Sequence, residues 1–368
     1  MKRSILLFIP LLLSVGIFSQ KSVTVTNSTS LGRKGELVEV VYKPANTFVL
    51  KDNNGEEVGY QLVYNSKKEV AGFLFQADVK AKSKATYWIK DGTPAPVKAK
   101  TFGRFVPERK DDFAWENDFA AYRMYGPALA KENPSNGVDF WSKCTSELII
   151  DQRYRDELQN GKSYHIDHGN GMDFYKVGHA LGCGGVAPYA DDSLWVGNHF
   201  DSYEVLENGP LRTKFKLTYN KFDAGGSSYK ETYVVTACAG SLLNKAVVSY
   251  DGLTREMQLA TGIFLHDGKG TIRQEPENGI LCYAENAFTE LAKEPCGRNY
   301  VGVVAPGKKV VKKNNHAFIL TNYSPGTSMT YYFGAGWNKC NFPTDADWFK
   351  AVNDFAAKTK SPLKVKVK

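Results

Sequence analysis

Three of the six histidines in this 368-residue chain fall within one short stretch, Tyr164-His165-Ile166-Asp167-His168-Gly169-Asn170-Gly171-Met172-Asp173-Phe174-Tyr175-Lys176-Val177-Gly178-His179. An imidazole near its ordinary pKa takes or gives a proton at neutral pH, and a nearby carboxylate can orient it. Read as a strand, the stretch puts His165 and Asp167 on one face and His168 on the other, unless a bulge re-aims it. Gly169, Gly171 and Gly178 allow tight turns and close backbone approach to a ligand. His165 and His168 are therefore candidate acid–base residues, and Asp167, Asp173 and Tyr175 candidate substrate contacts. The His-x-Asp-His spacing also suits a divalent metal, although no outlying Cys/His pattern completes a ligand set. A third reading makes these polar loop residues, hydrogen-bonded locally.

A second cluster precedes it: Trp115-Glu116-Asn117-Asp118-Phe119-Ala120-Ala121-Tyr122-Arg123-Met124-Tyr125-Gly126-Pro127. As a strand closed by Gly126-Pro127, it places Arg123 and Tyr125 on one face and Tyr122 on the other. A guanidinium fits a carboxylate or sulfate at two points, and a tyrosine can relay a proton. Tyr122, Arg123, Tyr125 and Tyr164 thus join the candidate catalytic set, with Trp115 and Asn117 as binding residues. The competing role for Arg123 is a structural ion pair with Glu116 or Asp118. Further on, Trp195 could stack on a sugar ring, with Asn198 and His199 beside it in sequence. His266, Glu285 and His316 stand alone, and single residues of these types are more often structural. Neither G-x-S-x-G nor H-E-x-x-H occurs, so a serine-hydrolase elbow and a zincin helix lack their signatures.

The elements that must carry these residues read as mostly β. Short alternating runs from Val23 to Lys90, with a turn at Asp52-Asn53-Asn54-Gly55, predict a small β-sandwich over residues 20–105. Pro and Gly between Asp91 and Arg109 mark a linker or crossover. Strand signals recur from Leu211 to Phe333 while helix signals are few. Residues 106–368 therefore predict a large antiparallel double-sheet sandwich of the galactose-mutarotase-like type, with a polar ligand-binding face. The clearest helix is Asp345 to Lys358, with Trp348, Val352 and Phe355 on one side.

Composition narrows the setting. Met1-Lys2-Arg3, an apolar run to Phe18, and polar Ser19-Gln20-Lys21 have the layout of a secretory signal over residues 1–19. The sequence thus predicts a periplasmic or secreted protein with no stable membrane anchor. The formal charge of +8 falls to +6 once Lys2 and Arg3 are removed. Outside the cytoplasm such a charge favours acidic, sulfated or uronate-bearing glycans over nucleic acid. The 13 % aromatic content suits both twisted sheets and sugar stacking. The six cysteines have long, irregular spacings that fix no disulfide pairing, and oligomeric state is open.

Trp115-Glu116-Asn117-Asp118, Tyr122-Arg123-Met124-Tyr125-Gly126-Pro127-Ala128-Leu129, His165-Ile166-Asp167-His168-Gly169-Asn170-Gly171-Met172-Asp173-Phe174-Tyr175 and Leu181-Gly182-Cys183-Gly184-Gly185-Val186-Ala187 together resemble an exported bacterial family of formerly unknown function that includes an ulvan-oligosaccharide dehydratase. The resemblance covers most of the chain after its leader. It implies removal of water from a saturated uronic acid at the non-reducing end, giving the 4,5-unsaturated sugar. No cofactor is required for that reaction, and a divalent metal is compatible with it. Arg123 would then meet the substrate carboxylate as charge spreads from C5. The alternatives are a glycan-binding protein without turnover, and a chain-cutting uronyl lyase or glycoside hydrolase.

Overall fold

The computed structural model describes residues 21–132, 135–287 and 296–368. The leader expected over residues 1–19 lies outside them. Among the described residues no helix is long and apolar enough to cross a membrane. The chain is mostly β, and all its strand pairs are antiparallel.

The first unit is a sandwich of two sheets. One has the strand order Lys364–Val367, Ser22–Thr26, Lys84–Asp91, Phe48–Lys51. The other runs Arg33–Val40, Val70–Val79, Tyr60–Tyr64. Val23, Val25, Phe48, Leu50, Phe73, Phe75 and Tyr87 fill the space between. Two boundaries differ from the sequence reading. Phe102–Val106 pairs with Asp112–Glu116, so the larger unit begins before residue 105. The C-terminal strand Lys364–Val367 returns to cover the edge of Ser22–Thr26, so the last residues belong to the smaller unit. Such long-range pairing has no local signal, because an edge strand takes whatever partner the topology delivers.

In the larger unit a nine-stranded sheet faces a second layer divided between two smaller sheets. The large sheet runs Phe200–Asn208, Arg212–Tyr219, Ser227–Cys238, Asn244–Asp251, Met329–Trp337, Arg298–Val304, Ile280–Asn286, Thr271–Glu275, and Phe222–Ala224 pairs at its side. Arg212–Tyr219 alternates strictly between buried and half-buried, as a strand with one face on the core must. Phe215, Tyr233, Tyr331 and Phe333 point inward from it to Phe113, Trp115 and Tyr122. Helix Asp345–Lys360, started by a Thr344/Asp347 capping box, lays Trp348 and Val352 on the outer face.

The four-stranded sheet of the second layer runs Asp139–Ser142, Ala120–Met124, Asp112–Glu116, Phe102–Val106. Its three strands from 112 to 142 are buried at every residue. One face meets the large sheet; the other is covered by helix Ile150–Gln159 through Trp141, Tyr154 and Tyr164. Both faces being dry, every charge on these strands must find a partner inside. A disulfide between Cys144 and Cys340 ties the end of this layer to the large sheet. Cys183, Cys238 and Cys282 are free thiols.

Candidate functional site

Ala120–Met124 presents Tyr122 and Arg123 to opposite faces, as its period of two requires. Tyr122 stacks on Trp115, and its hydroxyl accepts from the Ala335 amide at 3.1 Å. It is buried in the core, and that burial raises its pKa. Trp115 is wholly buried and donates to Asn244. Asn117 spends its amide on the Cys238 and Ser241 carbonyls. None of these three reaches a ligand.

Arg123 is only 3 % exposed. Asp139, directly opposite it across the strand pair, accepts from Nε. Asp173 accepts from Nη2 at 2.8 Å, and the Tyr164 hydroxyl lies 3.4 Å from Nη1. The rings of Trp141, Tyr125 and Tyr164 pack around the guanidinium. Burial works to lower its pKa, but Asp139 and Asp173 outweigh that and hold it well above its ordinary value. The expectation that Arg123 meets a substrate carboxylate is corrected: its charge is matched within the protein, by Asp139 and Asp173 and not by Glu116 or Asp118. Asp173 is likewise internal, and burial pushes it up to about 6 despite the pull of Arg123.

Glu116 instead serves the covering helix. It accepts from the Ile149 and Ile150 amides at the helix start and from buried Lys143 at 2.6 Å. The helix lacks a side-chain cap of its own, so a strand carboxylate supplies the negative charge its N-terminus favours. Tyr125 is buried beside Arg123 and meets His199 edge-on, with ring centroids 5.9 Å apart. Burial and Asp139 raise its pKa well above the ordinary value.

Residues 164–173 form turns and not the expected strand, so His165 and Asp167 do not share a pleat. The Asp173 amide donates to the Tyr164 carbonyl, closing the loop. Gly171 lies at φ +101° with the Ser142 carbonyl 2.2 Å from where a Cβ would sit, so only glycine fits. Asp167 accepts from the Gly169 and Gly171 amides, an Asx-type turn. His168 is exposed and bonded to the Ser163 carbonyl at 2.9 Å. His165 is half-exposed: Nδ1 bonds the Asp173 carbonyl at 3.0 Å, and the Tyr164 ring packs edge-on at 4.7 Å. A carbonyl only accepts, so Nδ1 carries a hydrogen, and the Asp173 carboxylate lies 3.6 Å from the same nitrogen. His165, Asp167 and His168 thus point to separate local partners, and no cluster of metal-ligating side chains occurs among the described residues.

Of the remaining candidates, Trp195 is partly exposed and donates to the Ala190 carbonyl. Asn198 is exposed and accepts from the His199 amide; His199 is buried. Tyr175 belongs to a separate cleft with His266 and Glu285, two residues that looked incidental in sequence. The structure therefore gathers Arg123, Tyr125, Tyr164, His165 and Asp173. It leaves Trp115, Asn117 and Tyr122 in the core and sets Trp195 and Asn198 on other loops.

The sequence profile of a domain of unknown function, DUF4861, matches residues 25–365. The chain belongs to that family. A relative called "Uncharacterized protein P7", from Formosa agariphila, is 28 % identical to this DUF4861 protein over 370 residues, covering 94 % of this chain and 93 % of that one. Among solved structures, an α-mannosidase of Enterococcus faecalis V583 superposes with a TM-score of 0.51 at 8 % identity, over 95 % of this chain and 46 % of that one. A glycosyl hydrolase family 38 protein from Enterococcus faecalis gives 0.49 at 8 % identity, over 95 % and 47 %. The DUF4861 chain spans a little under half the length of those two proteins, and the likeness concerns the fold alone.

Proposed function

We propose that this DUF4861 protein is an exported oligosaccharide dehydratase, acting on the saturated non-reducing-end uronic acid of acidic, sulfated glycan fragments such as ulvan oligomers. The observation that carries the reading is His165. Its ring is fixed through Nδ1 by a backbone carbonyl, leaves Nε2 without a partner among the described residues, and is half-exposed beside Tyr164. That is a histidine anchored through one ring nitrogen with the other open to a substrate, the geometry general acid–base chemistry needs.

In this reading Nε2 of His165 takes the proton from C5, α to the carboxylate. The electron pair forms the C4–C5 double bond, the C4–O4 bond breaks, and the departing oxygen takes a proton and leaves as water. The Tyr164 hydroxyl, beside the Arg123 guanidinium, is the second proton-transfer group. Arg123 is a positioning residue: with Asp139 and Asp173 it holds Tyr164 and the loop that carries His165. Lys162, Arg153 and Asp156 line the groove beside Tyr164 and His168; Lys162 lies 3.8 Å from Asp156, and Arg153 donates to the Ser142 and Asn170 carbonyls. Resemblance to a family with a dehydratase member and the basic charge support the same reading.

Mass spectra after incubation with saturated acidic oligosaccharides test it. The expected product has lost one water and kept every sugar. A shortened chain points to a lyase or hydrolase instead, and unchanged mass with retained affinity points to a binding protein.

A further inference from the structure

A cleft of about 180 Å³ opens where the large sheet meets the segment Phe174-Tyr175-Lys176. Asn299 and Glu285 are directly paired across neighbouring strands of that sheet, and both are buried. Asn299 Nδ2 donates to Glu285 Oε1 at 3.1 Å. His266, at φ +41°, lies between them and the segment: Nδ1 is 2.6 Å from Glu285 Oε1 and Nε2 is 2.8 Å from the Lys176 carbonyl. Both ring nitrogens thus face acceptors, the pattern of an imidazolium held by a carboxylate and a carbonyl. His266 is a clamp in this state, with no lone pair to act as a base.

Two polar atoms of this cleft have nothing to bond. The Tyr175 hydroxyl, on a residue 5 % exposed, and Asn299 Oδ1, on a residue 2 % exposed, make no hydrogen bond. A buried polar group without a partner is costly and is retained where it has a use. Tyr175 also turns its ring edge-on to His266 at 4.9 Å, so its position is fixed before any ligand arrives. The charges among the described lining residues cancel: His266 and Lys176 stand against Glu285 and Asp267. Asn299 Oδ1 is an acceptor and gives an anion nothing to bond. A hydroxyl group, which donates and accepts at once, suits both orphaned atoms. The cleft is large enough for one hydroxylated six-membered ring.

We propose that this cleft is a neutral-sugar subsite, in which the Tyr175 hydroxyl and Asn299 Oδ1 bind the hydroxyl groups of a single pyranose unit while the His266–Glu285 pair holds the wall rigid. The proposal rests on the reading that the substrate is a saccharide, and names the uncharged residue that accompanies the acidic one.

The test is a titration of the full protein with methyl xyloside and methyl glucoside, followed by ligand-detected NMR, with methyl glucuronide as the anionic comparator. Wild type should bind the neutral glycosides, and Tyr175→Phe should weaken them about fivefold or more, the loss of one neutral hydrogen bond. Because the hydroxyl has no partner in the fold, Tyr175→Phe should melt no earlier than wild type. His165→Ala should keep neutral-glycoside binding, so a failure of the dehydratase reading would show in turnover and leave this result intact. Wild type that ignores the neutral glycosides, or prefers the glucuronide there, overturns the subsite. So does a Tyr175→Phe variant that binds as wild type or that melts earlier.

Discussion

Asp139 and Asp173 hold Arg123 from two sides beneath a layer of aromatic rings. Removing the guanidinium leaves two buried carboxylates without a counter-charge. Arg123→Ala should therefore lower unfolding free energy by about 3–5 kcal/mol, read from denaturant midpoints, since breaking a buried pair costs that much. Arg123→Lys should also melt earlier, because one ammonium cannot serve both acids with the geometry of a fork. A Lys variant that melts normally yet loses turnover would return Arg123 to the substrate. His266 gives a pH prediction. Burial works to lower its pKa, but the Glu285 hydrogen bond and charge and the Lys176 carbonyl outweigh it, so the group ends above its ordinary value. A raised histidine stabilises fully below the unfolded value of about 6.5, and that gain is lost as pH rises through the folded pKa. Asp112 and Asp173, pushed up to about 6 by burial, and Glu231, pushed up to about 8, also favour the folded state at lower pH. Comparison with His266→Gln separates the histidine: the variant should lose stability near pH 6 and approach wild type at pH 9. Equal losses at both pH values would show that the proton has no part in it. At this scale the sequence was half legible. The density of histidine and glycine at 165–179 drew attention to the stretch but was read there as a strand, while alternation split Tyr122 from Arg123 as the structure does. The partners of Arg123 lie 16 and 50 residues away. No local pattern announces them: strand register sets Asp139 opposite Arg123, and the loop closed by the Asp173 amide on the Tyr164 carbonyl brings in Asp173.

Short β-rich runs with turn signals were readable as elements, and the Trp348/Val352 face of the last helix was readable from its period. The turn at 164–173 was not. Its side chains bond their own loop, and such local hydrogen bonding competes with a strand without changing composition much. The return of Lys364–Val367 to the first sheet was also invisible, being a pairing between the two ends of the chain. It has a consequence for stability. Arg33, paired with Glu36, also donates to the Ser361 carbonyl at 2.7 Å, just before that strand. Deleting residues 362–368 should strip the edge of Ser22–Thr26 and uncover a row of unpaired backbone groups. Limited proteolysis should then cut within residues 21–91 much faster than in the full chain, while the larger unit resists. Unchanged cleavage would mean the strand is ornamental to the sandwich.

The two-layer architecture of the whole molecule follows from its strand alternation, and the Pro- and Gly-containing stretch between Asp91 and Arg109 read as the linker or crossover between a small and a large sandwich. What composition could not supply was the four-stranded layer, three of its strands buried at every residue, between the large sheet and helix Ile150–Gln159, where charge is paired inside and a histidine-bearing loop is held at the rim. The account stands or falls on that rim. The most direct measurement follows absorbance of the new C4–C5 double bond, conjugated with the carboxylate, on a saturated acidic oligosaccharide with wild type and His165→Gln. Gln keeps a polar side chain of similar reach but has no basic lone pair. The account predicts steady formation of the unsaturated sugar by wild type, a rate lower by about 10²–10⁴-fold in the variant, and equal melting temperatures. Wild-type rates in His165→Gln, or a wild type that yields no unsaturated sugar from any saturated uronate-bearing oligomer, would contradict it.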